Sequence, residues 1–130
     1  MTVLKKGYKD DIGIDLCLDY DVVFRPFETK TICTELKLPS KSGVAIMMCS
    51  RSSAAKKGII VNQCPIDPGY TGFVHIIVHN TSNSTVHFPA GTAFAQCYAF
   101  KIEDIDVSIE IKNDSHRGVK NFGSSDRGEK

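Results

Sequence analysis

Apolar and polar residues alternate along much of the chain in short runs, which is the pattern of half-buried β-strands. The clearest run is KTICTELKL (30–38), in which every second residue from Ile32 to Leu38 falls on one face. Further apolar or alternating runs cover 13–16, 43–49, 58–62, 73–80, 85–88, 92–100 and 104–111. Gly, Pro, Ser and Asn residues separate these runs and mark turns. Many short strands at close spacing predict an all-β fold, an antiparallel jelly roll or distorted β-barrel.

One segment departs from the strand pattern and predicts a single short helix. In SRSSAAKKGI (50–59) serine precedes two alanines and two lysines, and Gly58 follows. Serine is a favoured N-cap, alanine and lysine are good helix formers, and glycine is common just past a helix C-terminus. Ser52 and Ser53 should then lie at the N-terminal end, where backbone N–H groups favour an anion.

The composition changes at Lys112. From there to the C-terminus the only sizeable apolar residues are Val119 and Phe122, which are too few to form a core. We therefore predict one β domain over residues 1–111 and a mobile C-terminal arm over residues 112–130. The arm combines Arg117 with the ring of Phe122 and a Gly-Ser-Ser run, groups that can bind a phosphate and cover a ring.

The net charge of the chain does not favour binding to a nucleic acid or a membrane. Sixteen basic and fifteen acidic residues leave a net charge of +1, so any anion must be bound locally rather than by an overall field. No apolar run is long enough to cross a bilayer, and the N-terminal residues do not resemble a signal peptide. We expect a soluble intracellular protein of the cytoplasm or nucleus, with no direct nucleic-acid or membrane partner.

The cysteines and histidines show no complete metal or disulfide pattern. Five cysteines, an odd number, stand at widely spaced positions without a C-x-x-C pair, and we interpret them as reduced, buried thiols. Cys64 is the one in a turn-like setting. His75 and His79 are four apart in a predicted strand and point to one face. They could bind a metal with ligands from another subunit, but without a third ligand nearby a polar sheet face or a subunit channel is the favoured interpretation.

The segment NQCPIDPGY (62–70) carries the most specific chemistry. Asp67 lies between Pro65 and Pro68 and is followed by Gly69, so it begins a predicted β-turn. A carboxylate on a rigid turn can be positioned to activate a water. The local pattern fits a purely structural turn equally well.

Five short motifs together resemble the trimeric dUTPase family (deoxyuridine 5′-triphosphate nucleotidohydrolase), and they occur in the family's order. They are IGIDLCL (12–18), SRSSAAKKG (50–58), PIDPGYTG (65–72), GTAFAQC (91–97) and RGVKNFGSS (117–125). Each motif alone fits a structural role, whereas five in order are specific. The resemblance implies hydrolysis of dUTP to dUMP and pyrophosphate with Mg²⁺ as cofactor. It also implies a homotrimer whose active sites lie between subunits.

The same resemblance implies a role for individual residues. Asp67 would activate the water that attacks the α-phosphorus, while Asp15 and Gln96 would bind waters around it, including those on a Mg²⁺ held by the triphosphate. Tyr70 would pack against the deoxyribose, and Phe122 would stack on the uracil. The implied substrate-binding residues are Arg51, Ser52, Ser53, Asn62, Ile66, Tyr70, Gln96, Arg117, Phe122, Gly123 and Ser124.

Some positions depart from the family pattern, and two other functions remain possible on the same scaffold. The segment from Gly58 to Asp67, interpreted as a base-binding hairpin, is shorter than usual, and Phe73 stands where an acidic residue is common. One alternative is a non-catalytic nucleotide-sensing protein. The other is a dCTP deaminase, which is disfavoured because Ile77 stands near the position of its general base and cannot transfer a proton.

Overall fold

The computed structural model describes residues 3–38 and 41–105. These ranges contain ten strands and one helix, and every strand pair is antiparallel. The strands are β1 (Val3–Lys5), β2 (Ile14–Cys17), β3 (Val22–Phe24), β4 (Thr29–Cys33), β5 (Val44–Ser50), β6 (Ile59–Val61), β7 (Cys64–Ile66), β8 (His75–Asn80), β9 (Val86–Phe88) and β10 (Ala95–Lys101), and helix α1 is Ser52–Lys56. The predicted all-β antiparallel fold with one short helix is confirmed.

The strands form three sheets around one core. A five-stranded sheet has the order β1-β2-β10-β5-β7, a three-stranded sheet has the order β4-β8-β6, and β3 pairs with β9. Neighbours that are distant in sequence, such as β2 with β10, are typical of a jelly roll. Phe24, Phe88 and Phe94 pack together in the core, with the rings of Phe24 and Phe94 edge to face at 5.6 Å.

Strand β4 is shorter than the alternating run 30–38 predicts. Buried and exposed residues alternate as predicted, but the ladder to β8 ends at Cys33. Glu35 has a φ of 59°, a left-handed conformation that interrupts regular pairing. Thr34 and Leu36 on either side of it both bond to Val74, whose carbonyl accepts from Thr34 N and whose N–H donates to Leu36 O. A bulge therefore replaces the second half of the predicted strand.

The sequence pattern does not predict three of the observed strands. Its last predicted strand extends beyond the described residues. Strands β1, β3 and β7 have three residues each, too few to show a period, and β7 contains Pro65. Of the predicted strand 104–111, residues 104 and 105 are not in a strand, and 106–111 lie outside the described ranges. The arm 112–130 also lies outside them, so the predicted domain boundary stays a prediction.

Helix α1 begins at Ser52 and is not capped by a serine. Its N-cap is Arg51, whose carbonyl accepts from Ala54 N and Ala55 N, and no side chain caps the helix. The predicted serine N-cap is therefore wrong. The hydroxyl of Ser50 is occupied elsewhere, because it accepts from the backbone N–H of Val61 at 2.7 Å. In the described ranges no helix is long and apolar enough to span a membrane.

All five cysteines are free thiols, but they are not all buried. Cys17 and Cys97 are buried and Cys49 is half-buried, whereas Cys33 is exposed on the outward face of β4, so the prediction of a buried thiol is wrong there. Cys64 is half-buried and begins β7 rather than lying in a turn. Burial raises the pKa of the Cys64 thiol, and the charge of Asp67 raises it further. A raised pKa keeps this thiol protonated and unreactive.

Candidate functional site

Three of the predicted site residues meet where β2, β10 and the end of β5 lie side by side. The antiparallel register places Gln96 directly opposite Asp15 on β2 and opposite Cys49 on β5. Opposed residues of neighbouring strands project to the same face. Arg51 follows β5 and completes the group, because its Nε lies 3.1 Å from Asp15 Oδ1. Asp15, Gln96 and Arg51 are called the arginine group below.

The guanidinium of Arg51 is held at two points. Besides the contact with Asp15, its Nη1 donates to the carbonyl of Ala93 at 3.3 Å. The side chains of Arg51 and Asp15 are 38% and 27% exposed, so their ion pair adds little to stability. It fixes the direction of a guanidinium that has five N–H donors, which suits the binding of a phosphate. Ser52 and Ser53 follow directly and are exposed at the start of α1.

The amide of Gln96 is positioned by a hydrogen bond and by the absence of a side chain beneath it. Its Nε2 donates to the carbonyl of Ser50 at 2.9 Å. On the other side the amide lies so close to Gly13 that a Cβ there would overlap Gln96 Oε1. Only glycine allows this approach. Gly13 and Ser50 therefore orient a predicted site residue, although neither was predicted to have a role.

A second group surrounds the turn at Asp67. The N–H of Tyr70 donates to the carbonyl of Asp67 at 3.2 Å, and Gly69 has a φ of 87°. With Pro68 at the second position, this is the pattern of a type II turn. The predicted turn is confirmed, and its acid is exposed. A groove beside it is lined by Leu38, Val44, Ile46, Ile66, Asp67, Pro68 and Tyr70.

The ring of Tyr70 is held in place on the same turn. Its hydroxyl donates to the carbonyl of Phe73 at 2.9 Å. A Cβ at Gly72 would overlap the Tyr70 side chain, so the glycine of the Tyr-Thr-Gly triplet lets the ring lie against the backbone. The ring is therefore a fixed apolar surface next to Asp67. Asp67 and Tyr70 are called the turn group below.

The arginine group and the turn group lie apart on one chain. Ile66 pairs with Ile46, so Asp67 is level with Ala45 on the neighbouring strand, and Arg51 lies six residues further along β5. At about 3.3 Å per residue, the separation along the sheet is about 20 Å. One chain therefore does not bring its own Asp67 to its own Arg51.

Strands β6 and β7 do not form the predicted hairpin. The first pairs with β8 and the second with β5, so Asn62 and Gln63 carry the chain from one sheet to another. The N–H of Asn62 donates to the carbonyl of Ile77 at 2.8 Å and so continues the ladder to β8. The side chain of Asn62 is exposed, and its Nδ2 reaches the carbonyl of Gln63 at 3.5 Å.

His75 and His79 share the outward face of β8, as predicted. The Nδ1 of His79 bonds to Thr29 Oγ1 at 2.9 Å, and the Nδ1 of His75 bonds to the carbonyl of Phe73 at 3.0 Å. Within 3–38 and 41–105, no three His, Cys, Asp or Glu side chains come together as metal ligands. Of the other predicted site residues, Arg117, Phe122, Gly123 and Ser124 lie outside the described residues.

The fold and the site together define an all-β protein with an arginine group suited to a phosphate and a separate turn group that presents a carboxylate beside an aromatic ring. The family model described as dUTPase matches residues 1–126. The chain belongs to the dUTPase family.

Individual relatives agree with this assignment. The Pol polyprotein of Equine infectious anemia virus (strain Wyoming) is 33% identical over 125 residues, which are 95% of this chain. The chain spans only 11% of that polyprotein. The deoxyuridine 5′-triphosphate nucleotidohydrolase of Leifsonia xyli subsp. xyli (strain CTCB07) is 32% identical over 124 residues, covering 92% of this chain and 82% of that protein. The solved structure of native EIAV dUTPase matches with a TM-score of 0.74 and 30% identity, over 85% of this chain and 92% of that one.

Proposed function

We propose that this chain is a dUTP diphosphatase, which hydrolyses dUTP to dUMP and pyrophosphate. Membership of the dUTPase family supports the activity, and relatives of similar length are deoxyuridine 5′-triphosphate nucleotidohydrolases. The observation that carries the proposal is the arginine group, in which register and an ion pair bring together Asp15, Gln96 and Arg51 from distant parts of the chain. These residue types suit an anionic, hydrated ligand.

In this function the arginine group binds the phosphates. Arg51 donates charge-assisted hydrogen bonds from a guanidinium already directed by Asp15. The exposed hydroxyls of Ser52 and Ser53 add neutral donors at the start of α1. Gln96 and Asp15 bind waters next to the phosphates. Pre-ordered donors of this kind stabilise developing charge without reorganising during the reaction.

Asp67 acts as the general base. Its carboxylate takes a proton from the attacking water as the water's oxygen forms a bond to the α-phosphorus, and pyrophosphate leaves. The type II turn fixes the backbone that carries this acid. The ring of Tyr70 packs against the deoxyribose beside it, where a 2′-hydroxyl would be crowded out.

A magnesium ion fits this site as part of the substrate. Asp15, Asp67 and Gln96 offer oxygen atoms, the ligands that Mg²⁺ and its waters prefer, but the two groups do not converge on one ion within the described chain. When bound to the triphosphate, Mg²⁺ neutralises phosphate charge. Asp15 and Gln96 would then hold its waters.

A homotrimer would bring the two groups together. Because Asp67 and Arg51 of one chain are about 20 Å apart along the sheet, a second copy must supply one of them. Head-to-tail contacts between identical subunits form a closed ring when the rotation that relates neighbours completes a full turn. Three copies in such a ring would make three sites, each with the arginine group of one chain and the turn group of the next.

The C-terminal arm would complete each site. Arg117 would bind the terminal phosphate, Phe122 would stack on the uracil, and Gly123 with Ser124 would close over the phosphates. Asn62 and Ile66, which lie on the approach to the Asp67 turn, would contact the nucleoside. We further infer an intracellular site of action, in the cytoplasm or nucleus, because five free thiols suit a reducing compartment.

The substitution Asp67→Asn tests the activity and the role of the base together. Pyrophosphate release from dUTP, dTTP, dCTP and UTP is measured for the wild type, Asp67→Asn and the control Asp21→Asn, which changes an exposed acid paired with His87. We expect dUTP turnover in the wild type and the control, and at least about a 100-fold loss of kcat in Asp67→Asn with nucleotide binding retained. Turnover that survives Asp67→Asn would contradict the mechanism. A wild type that binds dUTP without turning it over would favour the sensing function instead.

A further inference from the structure

Ser50 touches both the arginine group and the strand that leads to Asn62. Its carbonyl accepts from Gln96 Nε2 at 2.9 Å, and its hydroxyl accepts from the backbone N–H of Val61 at 2.7 Å. It is the last residue of β5 and directly precedes Arg51. The chemistry described above does not use its side chain.

The geometry of β6 explains why Val61 depends on this hydroxyl. The N–H of Asn62 donates across to β8, at the carbonyl of Ile77. In an antiparallel pair, neighbouring residues direct their N–H groups to opposite sides, so the N–H of Val61 points away from β8. Ser50 lies on that side and accepts it. Val61 is only 2% exposed, so water cannot readily take the place of the hydroxyl.

We propose that Ser50 is a positioning residue for nucleoside binding, an inference that rests on the function proposed above. Its hydroxyl holds the end of β6 and so sets the place of Asn62, which is next in the chain. The two-residue connection continues directly into β7 and the turn group, and a displacement of Val61 would be passed along it. The hydroxyl of Ser50 therefore affects substrate binding through β6. The carbonyl of Ser50 orients Gln96, and this contact does not depend on the Ser50 side chain.

Two substitutions each remove one side-chain hydroxyl that forms a hydrogen bond at or next to an end of β6. Ser50→Ala removes the bond at its last residue. Thr81→Val is the matched control, because Thr81 Oγ1 donates to the carbonyl of Gly58 at 2.9 Å, just before the strand begins. Steady-state kcat and KM for dUTP are measured on the full chain well below its melting temperature.

We expect Ser50→Ala to raise KM about five- to tenfold, the effect of one lost hydrogen bond, with kcat changed less than about twofold. Thr81→Val should change neither constant by more than about twofold. Ser50→Thr keeps the hydroxyl and should restore KM. A role in stability alone would lower the melting temperature of Ser50→Ala and leave KM unchanged, and that result would overturn the inference.

Amide hydrogen exchange separates this inference from the proposed activity. Exchange at Val61 and Asn62 should be faster in Ser50→Ala than in the wild type and unaffected by Thr81→Val. Ser50→Cys, which keeps the size and weakens the acceptor, replaces Ser50→Ala if that protein does not fold. Unchanged exchange at both amides would refute the role of Ser50 directly. A wild type without dUTP turnover would refute the proposed function, whereas exchange at Val61 and Asn62 still decides whether the Ser50 hydroxyl holds the end of β6.

Discussion

The arginine group and the turn group are held in different ways. Asp15, Gln96 and Arg51 come from three elements that are far apart in sequence, and each is fixed by contacts with another element. Asp67 and Tyr70 belong to one turn of consecutive residues. The first group therefore exists only in the folded sheet, whereas the second depends mainly on local backbone geometry. Substitutions should expose this difference.

The largest effect is expected for Arg51→Ala. The substitution removes the proposed phosphate contact and leaves the carboxylate of Asp15 without its cation, so that it repels the phosphates. We expect kcat/KM for dUTP to fall about 100- to 1,000-fold, or roughly 3–4 kcal/mol of transition-state stabilisation. Arg25→Ala, at an exposed turn outside both groups, is the control and should have no such effect. A loss of less than about tenfold would contradict the proposed role of Arg51.

An intermediate effect is expected for Gly13→Ala, which acts on the arginine group through Gln96. The added methyl group would occupy the place of the Gln96 amide and displace it, lowering kcat about 10- to 100-fold. Gly7→Ala is the control, because its methyl group would meet only Asp11 Oδ2, at 2.9 Å, on an exposed side chain that can move. Unchanged kcat in Gly13→Ala, in a protein that melts like the wild type, would show that Gln96 need not lie where the structure has it.

The smallest effect concerns a second turn, which resembles the one at Asp67. Residues Arg25 to Glu28 form a turn with Pro26 at its second position, and Glu28 N donates to Arg25 O at 3.1 Å. Its third residue is Phe27, which has a φ of 58° and is 68% exposed, where the Asp67 turn has Gly69. A side chain in this conformation is disfavoured.

Phe27→Gly should relieve that strain. We expect the free energy of unfolding to rise by about 1 kcal/mol or somewhat less, because glycine also increases the entropy of the unfolded chain. Thermal and denaturant unfolding measure the change, and kcat should stay as in the wild type. Phe27→Ala, which keeps the disfavoured conformation, is the control. If both variants unfold alike, backbone strain at this turn is not the cause.

The two groups also differ in how far the sequence predicts them. The turn at Asp67 follows from Pro68 and Gly69 alone, because their backbone preferences are local. The strand faces of β4 and β8 follow from alternation in the same way. The juxtaposition of Asp15 and Gln96, which are 81 positions apart, depends on the register between β2 and β10, which no local pattern specifies. The resemblance to the family's motifs identifies these residues but does not predict how they are arranged in space.

The features that the sequence does not predict correctly also have specific structural causes. The hairpin over 58–67 is an expectation of the family resemblance, but β6 and β7 each pair with a strand of a different sheet. Ser50 was not recognised because its bonds join residues that are 11 and 46 positions away. Gly13 could have been noticed, since a glycine at a strand end often marks a close approach of another group.

A subunit-mixing measurement tests most directly whether two copies build each site. Arg51→Ala and Asp67→Asn proteins, each inactive alone, are mixed in equal amounts under conditions that exchange subunits. Random assembly into a ring gives an intact arginine group facing an intact turn group at about one quarter of the sites. We expect about a quarter of the wild-type rate of dUTP hydrolysis.

The matched control mixes Arg51→Ala with Gln96→Ala. Both changes lie in the arginine group, so no exchange of whole chains can restore it, and we expect no recovery. Recovery in the first mixture and none in the second is the result predicted here. Failure of the first mixture to recover activity, with subunit exchange verified by mass, would contradict the central claim that the arginine group and the turn group of a working site come from different chains.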